Sequence, residues 1–255
     1  MLEIFIKRSL VTLFLCMFLL FVPSIGVARE YTFVSLEYLP YSIYEDGVPV
    51  GSDIEILEEC FRRMNIDVNI LLLPWKRALQ MAMLGHVDGI FGAVKIPERM
   101  EKMYYSDPVR VEQISLFVRQ DSKLDFNGDL EKLQNLSFGV IRDFSYGSKF
   151  DEFLAEASKT GRVERVVDTE MNLAKLIKGR FNILVGDHFS TLHTIRNEGL
   201  KGKVRSLDPP VAENNIYITF SKKRRLAYLR DRFNVALKSV RADGTWERIM
   251  KKYVD

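Results

Sequence analysis

Apolar positions along this chain recur with two periods, and from residue 29 onward short β-type runs alternate with amphipathic stretches of helical spacing. Tyr31 to Leu36 is predicted as the first strand. Ser52-Asp53-Ile54-Glu55 then matches a capping box, with Ser52 accepting from an early helical amide and Glu55 reaching back. Ile54, Leu57, Phe61 and Met64 share one face of that helix, and Arg62 and Arg63 suit its negative dipole end. Val68 to Leu73 repeats the strand, Pro74 suits a first helical turn, and Ala78, Leu79, Ala82 and Met83 line one helical face before Gly85. Further strands are predicted at Gly89 to Val94, Leu116 to Arg119, Ser137 to Ile141, Arg165 to Val167, Phe181 to Val185 and Ile216 to Phe220. Helices fill Lys149 to Ser158, Met171 to Lys178, Phe189 to Asn197, Leu226 to Arg241 and Trp246 to Tyr253. The alternation predicts an α/β fold of parallel-type sheets flanked by helices, in which ligands sit outside the carboxyl ends of strands. Functional residues are therefore expected just after strands.

The first 28 residues have a different grammar. Lys7 and Arg8 precede an apolar run from Leu10 to Val22, and Gly26-Val27-Ala28 offers a small-residue cleavage site, the anatomy of a secretory signal peptide. The competing reading is an uncleaved anchor, but the run falls short of the ~18 residues that span a bilayer. Cleavage removes Glu3, Lys7, Arg8 and Cys16, so the formal charge of +3 becomes +2 and 255 − 28 = 227 residues remain. Cys60 is then alone, no internal disulfide can form, and its place on an apolar helical face suits a small buried hydrophobe. Interspersed charge argues against nucleic acid as a partner. The cluster Lys222-Lys223-Arg224-Arg225 is expected as a solvated turn.

Several short motifs carry a resemblance. Tyr38-Leu39-Pro40-Tyr41 followed by Gly51-Ser52-Asp53-Ile54-Glu55-Ile56, then Gly85-His86-Val87-Asp88-Gly89-Ile90, Ile96-Pro97-Glu98-Arg99, Ser106-Asp107-Pro108, Phe220-Ser221-Lys222 and Asp243-Gly244-Thr245 occur in order. Together they resemble the type II periplasmic solute-binding proteins of the polar amino acid class, bacterial extracellular solute-binding protein family 3. The resemblance implies a two-lobed fold whose lobes are joined by crossover strands at Phe117 to Asp121 and Ala212 to Tyr217. The first lobe would comprise residues 29–118 and 215–255, and the second the inserted residues 119–214. It also implies a periplasmic monomer that closes on a small polar ligand, an amino acid or related compound, for the membrane permease of an ABC importer, with no cofactor and no metal.

A zwitterion between lobes needs a cation for its carboxylate, an anion for its ammonium and apolar walls. The resemblance makes Arg99 the carboxylate clamp and Asp187 the acid facing the ammonium. Their plain alternatives are a surface arginine at a helix start and a helix cap. Ser145 lies between a strand and a helix start, where backbone amides favour an anion. Tyr38, Tyr41 and Trp75 are candidate walls or core residues. Arg77 and Lys95 are each a second cation or a solvated side chain. Ala93-Val94-Lys95 stands where the family has a small hydroxyl-bearing stretch, which leaves the amino-acid clamp incomplete.

Two other function classes compete. An enzyme on this frame, dehydratase-like, would use His188 beside Asp187, but adjacency alone supplies no convergent geometry. With only His86, His188 and His193, no ordered triad or metal-ligand spacing is visible. A ligand-sensing partner of a receptor would use the same lobes.

Overall fold

The computed structural model describes residues 29–254. The predicted signal peptide, Cys16 included, lies outside the described residues. The chain begins with β1 (Tyr31–Ser35), a hairpin of β2 (Ile43–Glu45) and β3 (Val48–Val50), α1 (Ser52–Met64), β4 (Val68–Leu72) and α2 (Trp75–Met83). It continues through β5 (Gly89–Val94), α3 (Pro97–Lys102), β6 (Met103–Tyr105) and β7 (Arg110–Arg119). Then follow β8 (Phe138–Ile141), α4 (Ser148–Lys159), β9 (Val163–Val166), α5 (Thr169–Ile177), β10 (Ile183–Asp187) and α6 (His188–Asn197). The chain closes with β11 (Val204–Ser221), α7 (Ala227–Ala242) and α8 (Thr245–Val254).

The helical face expected on α1 is the one it buries. Ile54, Leu57, Phe61 and Met64 pack with Cys60 against Phe33, Phe91, Phe220 and Phe233. Asn65 ends the helix in the left-handed conformation, at φ 56°. A buried aromatic of this kind contributes enough that Phe61→Ala costs about 3–5 kcal/mol. Cys60 is fully buried, and burial pushes its thiol up to about 12, so it behaves as a small hydrophobe.

β4, β1 and β5 pair parallel, as do β10, β8 and β9, and each set has its own hydrophobic core. Two-lobed architecture follows from these two cores. β7 and β11 join them as a long antiparallel pair, giving the strand order β4-β1-β5-β11-β7-β10-β8-β9 with β6 on β11. Their ladder runs from Arg110 opposite Ile216 to Arg119 opposite Val204, and is interrupted between Leu207 and Ala212. Both strands are longer than predicted: charged Arg110 and Glu112 mask the start of β7, and Pro209-Pro210 breaks the apolar alternation of β11.

The capping box does not form. Gly51 is the N-cap, at φ 135°, and a Cβ there would stand 2.3 Å from the Tyr41 carbonyl oxygen, so only glycine lets the loop after β1 lie against the helix start. Glu55 turns instead to Lys252 at 2.5 Å and to the Tyr253 hydroxyl. The basic cluster is likewise more than a solvated turn. Arg224 bonds Asp88 at 3.0 Å, the Gly85 carbonyl at 2.9 Å and the His86 carbonyl at 2.7 Å.

Candidate functional site

The loops after β1, β5, β8 and β10 meet between the two cores, at the carboxyl ends of the parallel strands. The first of these loops is held by Tyr38 N donating to the Ser42 carbonyl at 2.6 Å and by Ser42 Oγ donating to the Leu36 carbonyl at 2.8 Å. That turn aims Tyr38 and Tyr41 inward, and both are buried. Tyr41 donates its hydroxyl to Asp187 Oδ1 at 2.9 Å. Asp187 ends β10 and caps α6 by accepting from Ser190 N at 2.8 Å, so its cap role and its meeting with Tyr41 coexist. Its Oδ2 has no hydrogen-bond partner among the described residues, and the side chain is fully buried. Burial holds its carboxyl above the usual range, although Arg110 opposes this.

Arg99, in the short helix after β5, is 3% exposed. Its guanidinium donates to the Asp143 carbonyl at 3.0 Å and the Val94 carbonyl at 3.4 Å, and lies 5.5 Å from the Trp75 ring centroid. No carboxylate forms an ion pair with it among the described residues, and burial lowers its pKa. Trp75 Nε1 donates to the same Asp143 carbonyl at 3.1 Å. Phe144, next in that loop, packs edge-on against Tyr38 at 5.6 Å and Trp75 at 5.5 Å.

Two cavities flank this contact. An inner one of about 20 Å³ is lined by Tyr38, Tyr41, Trp75, Arg99, Arg110 and Glu112, among others. An outer one of about 710 Å³ is bounded by Lys76, Arg99, Asp143, Phe144, Ser145 and Asp151 together with apolar residues of α2 and α4. Arg99, Phe144 and Ser145 border both. Ser145 Oγ is engaged by Asp151 Oδ2 at 2.6 Å. Arg77 is exposed on α2 and borders neither cavity, and exposed Lys95 lies over the rings of Tyr105 and Tyr217, at 5.7 and 5.6 Å.

The innermost polar group was not singled out from sequence. Arg110 donates Nε to both Asp53 oxygens, at 2.9 and 3.2 Å, and its guanidinium stacks 3.4 Å from the Tyr41 ring centroid. Glu112 lies 3.9 Å from Arg110, and burial, then the neighbouring Asp187, pushes its carboxyl up to about 8. Strand alternation puts Arg110, Glu112 and Ile114 on one face. That is the only sequence signal they carry, and it does not say which face is covered.

Residues 32–255 match the family model of the bacterial extracellular solute-binding proteins, family 3. The chain belongs to that family. Among its relatives, the histidine-binding periplasmic protein of Escherichia coli (strain K12) is 23% identical over 225 residues, covering 86% of this chain and 84% of the relative. Among solved structures, a histidine kinase sensor domain with similarity to periplasmic binding proteins superposes with a TM-score of 0.79 at 22% identity, covering 89% of this chain and 96% of the other. The arginine-, lysine-, histidine-binding protein ArtJ from Geobacillus stearothermophilus superposes with a TM-score of 0.76 at 19% identity, covering 88% and 95%. These likenesses carry the two-lobed fold of the family 3 proteins.

Proposed function

We propose that this protein is an exported solute-binding protein that holds a small polar ligand, an amino acid or a close relative of one, between its lobes and delivers it to the permease of an ABC importer. The observation that carries the reading is the pairing of opposite demands in one buried cleft. Among the described residues Arg99 is a cation with only carbonyl and aromatic partners, and Asp187 is a wholly buried acid with one oxygen that no group bonds. A zwitterion satisfies both, because a buried charge is tolerated only when paired. Family membership and the names of the relatives support the same reading. In our assignment the lobes meet at Tyr41, Trp75 and Arg99 on one side and Asp143, Phe144, Ser145 and Asp187 on the other, and exchange strands within β7 and β11. A monomer suffices, since both faces of the cleft come from one chain.

The test is a thermal-shift screen with L-histidine, L-arginine, L-lysine, L-glutamine, putrescine, succinate and lactate. A probe at 100 times its Kd should stabilise the fold by about 2.7 kcal/mol. A screen in which no probe shifts the transition rejects the reading. Export is tested separately, by mass spectrometry of the protein in the producing cell: a chain starting near Arg29 is expected, and an intact Met1 in the membrane fraction counts against it.

The fold likeness to a sensor domain keeps a receptor-partner reading in view. A transport assay with the matching permease separates the two, because only a carrier makes uptake depend on this protein. The dehydratase-like reading has less support. His188 Nδ1 lies 3.1 Å from Ser115 Oγ, whereas Asp187 bonds Tyr41 and Ser190.

A further inference from the structure

The buried face between the lobes carries more acids than bases. Asp187 pairs with Ile114 across β10 and β7, so Glu112, two residues along β7, lies on the same face and diagonal to it. Diagonal neighbours in an antiparallel pair are about 7–8 Å apart, within reach of a glutamate side chain. Asn214 stands opposite Glu112 from β11, and Asp53 reaches the same region from α1. Asp53, Glu112 and Asp187 are 3%, 6% and 0% exposed, and Arg110, at 4%, is the one guanidinium bonded to this group. The other titratable groups facing them are the phenols of Tyr38, Tyr41 and Tyr146, with His188 beside Asp187. Among the described residues, no three acids, histidines or cysteines converge as metal ligands.

Charge counting makes full ionisation untenable. Three carboxylates against the one guanidinium bonded to them leave two uncompensated negative charges in a buried site, since Arg99, which borders the same inner cavity, is turned to the Val94 and Asp143 carbonyls, and each uncompensated buried ion costs several kcal/mol. Arg110 is committed to Asp53 through two Nε contacts, and reaches Glu112 only at 3.9 Å. Glu112 and Asp187 are therefore the pair left to compete, and two carboxyls in one site do not both ionise freely. Asp187 Oδ2, with no partner among the described residues, has room for a proton or for a donor from elsewhere. The upward displacement of Glu112 agrees with this, burial being the larger cause and Asp187 the second.

We propose that Glu112 and Asp187 hold one proton for the pair, and that a ligand bearing a cationic nitrogen, an ammonium or a guanidinium, takes that proton's place on binding and releases it to solvent. The proposal rests on the solute-binding reading and adds to it a ligand class and an exchange. Only a carboxyl O–H bond breaks, the proton leaves to water, and the incoming N–H groups donate to the two carboxylates. A ligand without a cationic nitrogen leaves the proton in place and gains nothing from the pair. Glu112 is thus a specificity residue acting on the charge of what enters.

The experiment is calorimetric titration at pH 6.5 in two buffers of different ionisation enthalpy, with L-arginine, L-lysine, L-histidine, L-glutamine and putrescine as cationic probes and succinate and lactate as anionic ones. Cationic probes that bind should release close to one proton, and their affinity should rise about tenfold per pH unit up to the neighbourhood of pH 8. E112Q, which mimics the protonated acid in shape, should bind without release and with a flat pH profile between pH 6 and 8. Binding of cationic probes without proton release overturns the proposal, as does release that persists in E112Q or binding confined to succinate or lactate. All three outcomes leave solute binding standing. The absence of binding by any probe rejects both readings together.

Discussion

The Tyr41 hydroxyl donates to Asp187 across 146 residues of sequence, at 2.9 Å, and so ties the loop after β1 to the end of β10. Both partners are buried, so neither can exchange the bond for water without the surrounding contact opening. Y41F removes the donor and keeps the ring over Arg110. Asp187 Oδ1 keeps Ser190 N as a donor, so the loss is that of one hydrogen bond, about 0.5–1.5 kcal/mol. Y41F should lower the unfolding free energy by that amount and raise the radius of gyration in small-angle scattering. An unchanged stability and an unchanged radius would show that the bond does not hold the lobes.

Arg99 carries the carboxylate end of the proposed site. R99A leaves a bound carboxylate desolvated and unpaired, a loss of about 2–5 kcal/mol, and affinity should fall by at least tenfold. R99K should recover only part of this, because one ammonium cannot serve the carbonyls of Val94 and Asp143 and a ligand with a planar fork. Titration of the three proteins with a probe from the screen decides it; equal affinities would move the clamp elsewhere. R77A serves as the control, since Arg77 is exposed, and its stability should change by less than about 0.5 kcal/mol.

Glu112 makes folding depend on pH. Burial, then the neighbouring Asp187, pushes its carboxyl up to about 8 in the folded chain, against the ordinary glutamate value of about 4.3 in the unfolded one. Between those limits the folded state binds more protons, so stability is greatest below about pH 4.3, as far as this group is concerned, and falls as pH rises toward 8. Melting temperatures from pH 5 to pH 8.5 should therefore decline in the native chain, and the decline should be shallower in E112Q. Parallel curves for the two proteins would remove Glu112 as the source.

Phe144 fills the aromatic space between Tyr38 and Trp75. Each edge-on pair contributes about 0.5–1.5 kcal/mol beyond its buried area. F144A should lower stability by at least about 1–3 kcal/mol, the two pair terms before any loss of buried area, and join the inner cavity to the outer one. A crystal structure of F144A that keeps the inner cavity near its present 20 Å³ would show that other side chains close it.

The sequence was most informative where periodicity alone decides the outcome. The apolar face of α1 and the parallel strands flanking the cleft follow from spacing, and Tyr38, Tyr41 and Ser145 lie after strands and Asp187 at the end of one, where α/β topology directs attention. Long-range pairing was hidden. Glu55 fits a local capping box in sequence, yet Lys252 and Tyr253, almost 200 residues later, claim it. Arg110 and Glu112 sit on a strand face that alternation identifies without saying what covers it. The short β2–β3 hairpin, turned at Asp46-Gly47, carries no strand periodicity in the sequence because its strands have only three residues each.

β11 runs as one 18-residue strand through both halves of the molecule, laddered to β7 on either side of the Leu207–Ala212 interruption. Lobes strung on slack loops could swing without restoring force. Here any change of angle must twist a hydrogen-bonded ribbon, and twisted strands resist departure from their preferred hand. The ribbon therefore acts as a leaf spring with its weakest point at the interruption. In the proposed closure on a ligand, part of the energy of a closing contact would go into deforming this ribbon and would return as a push toward release.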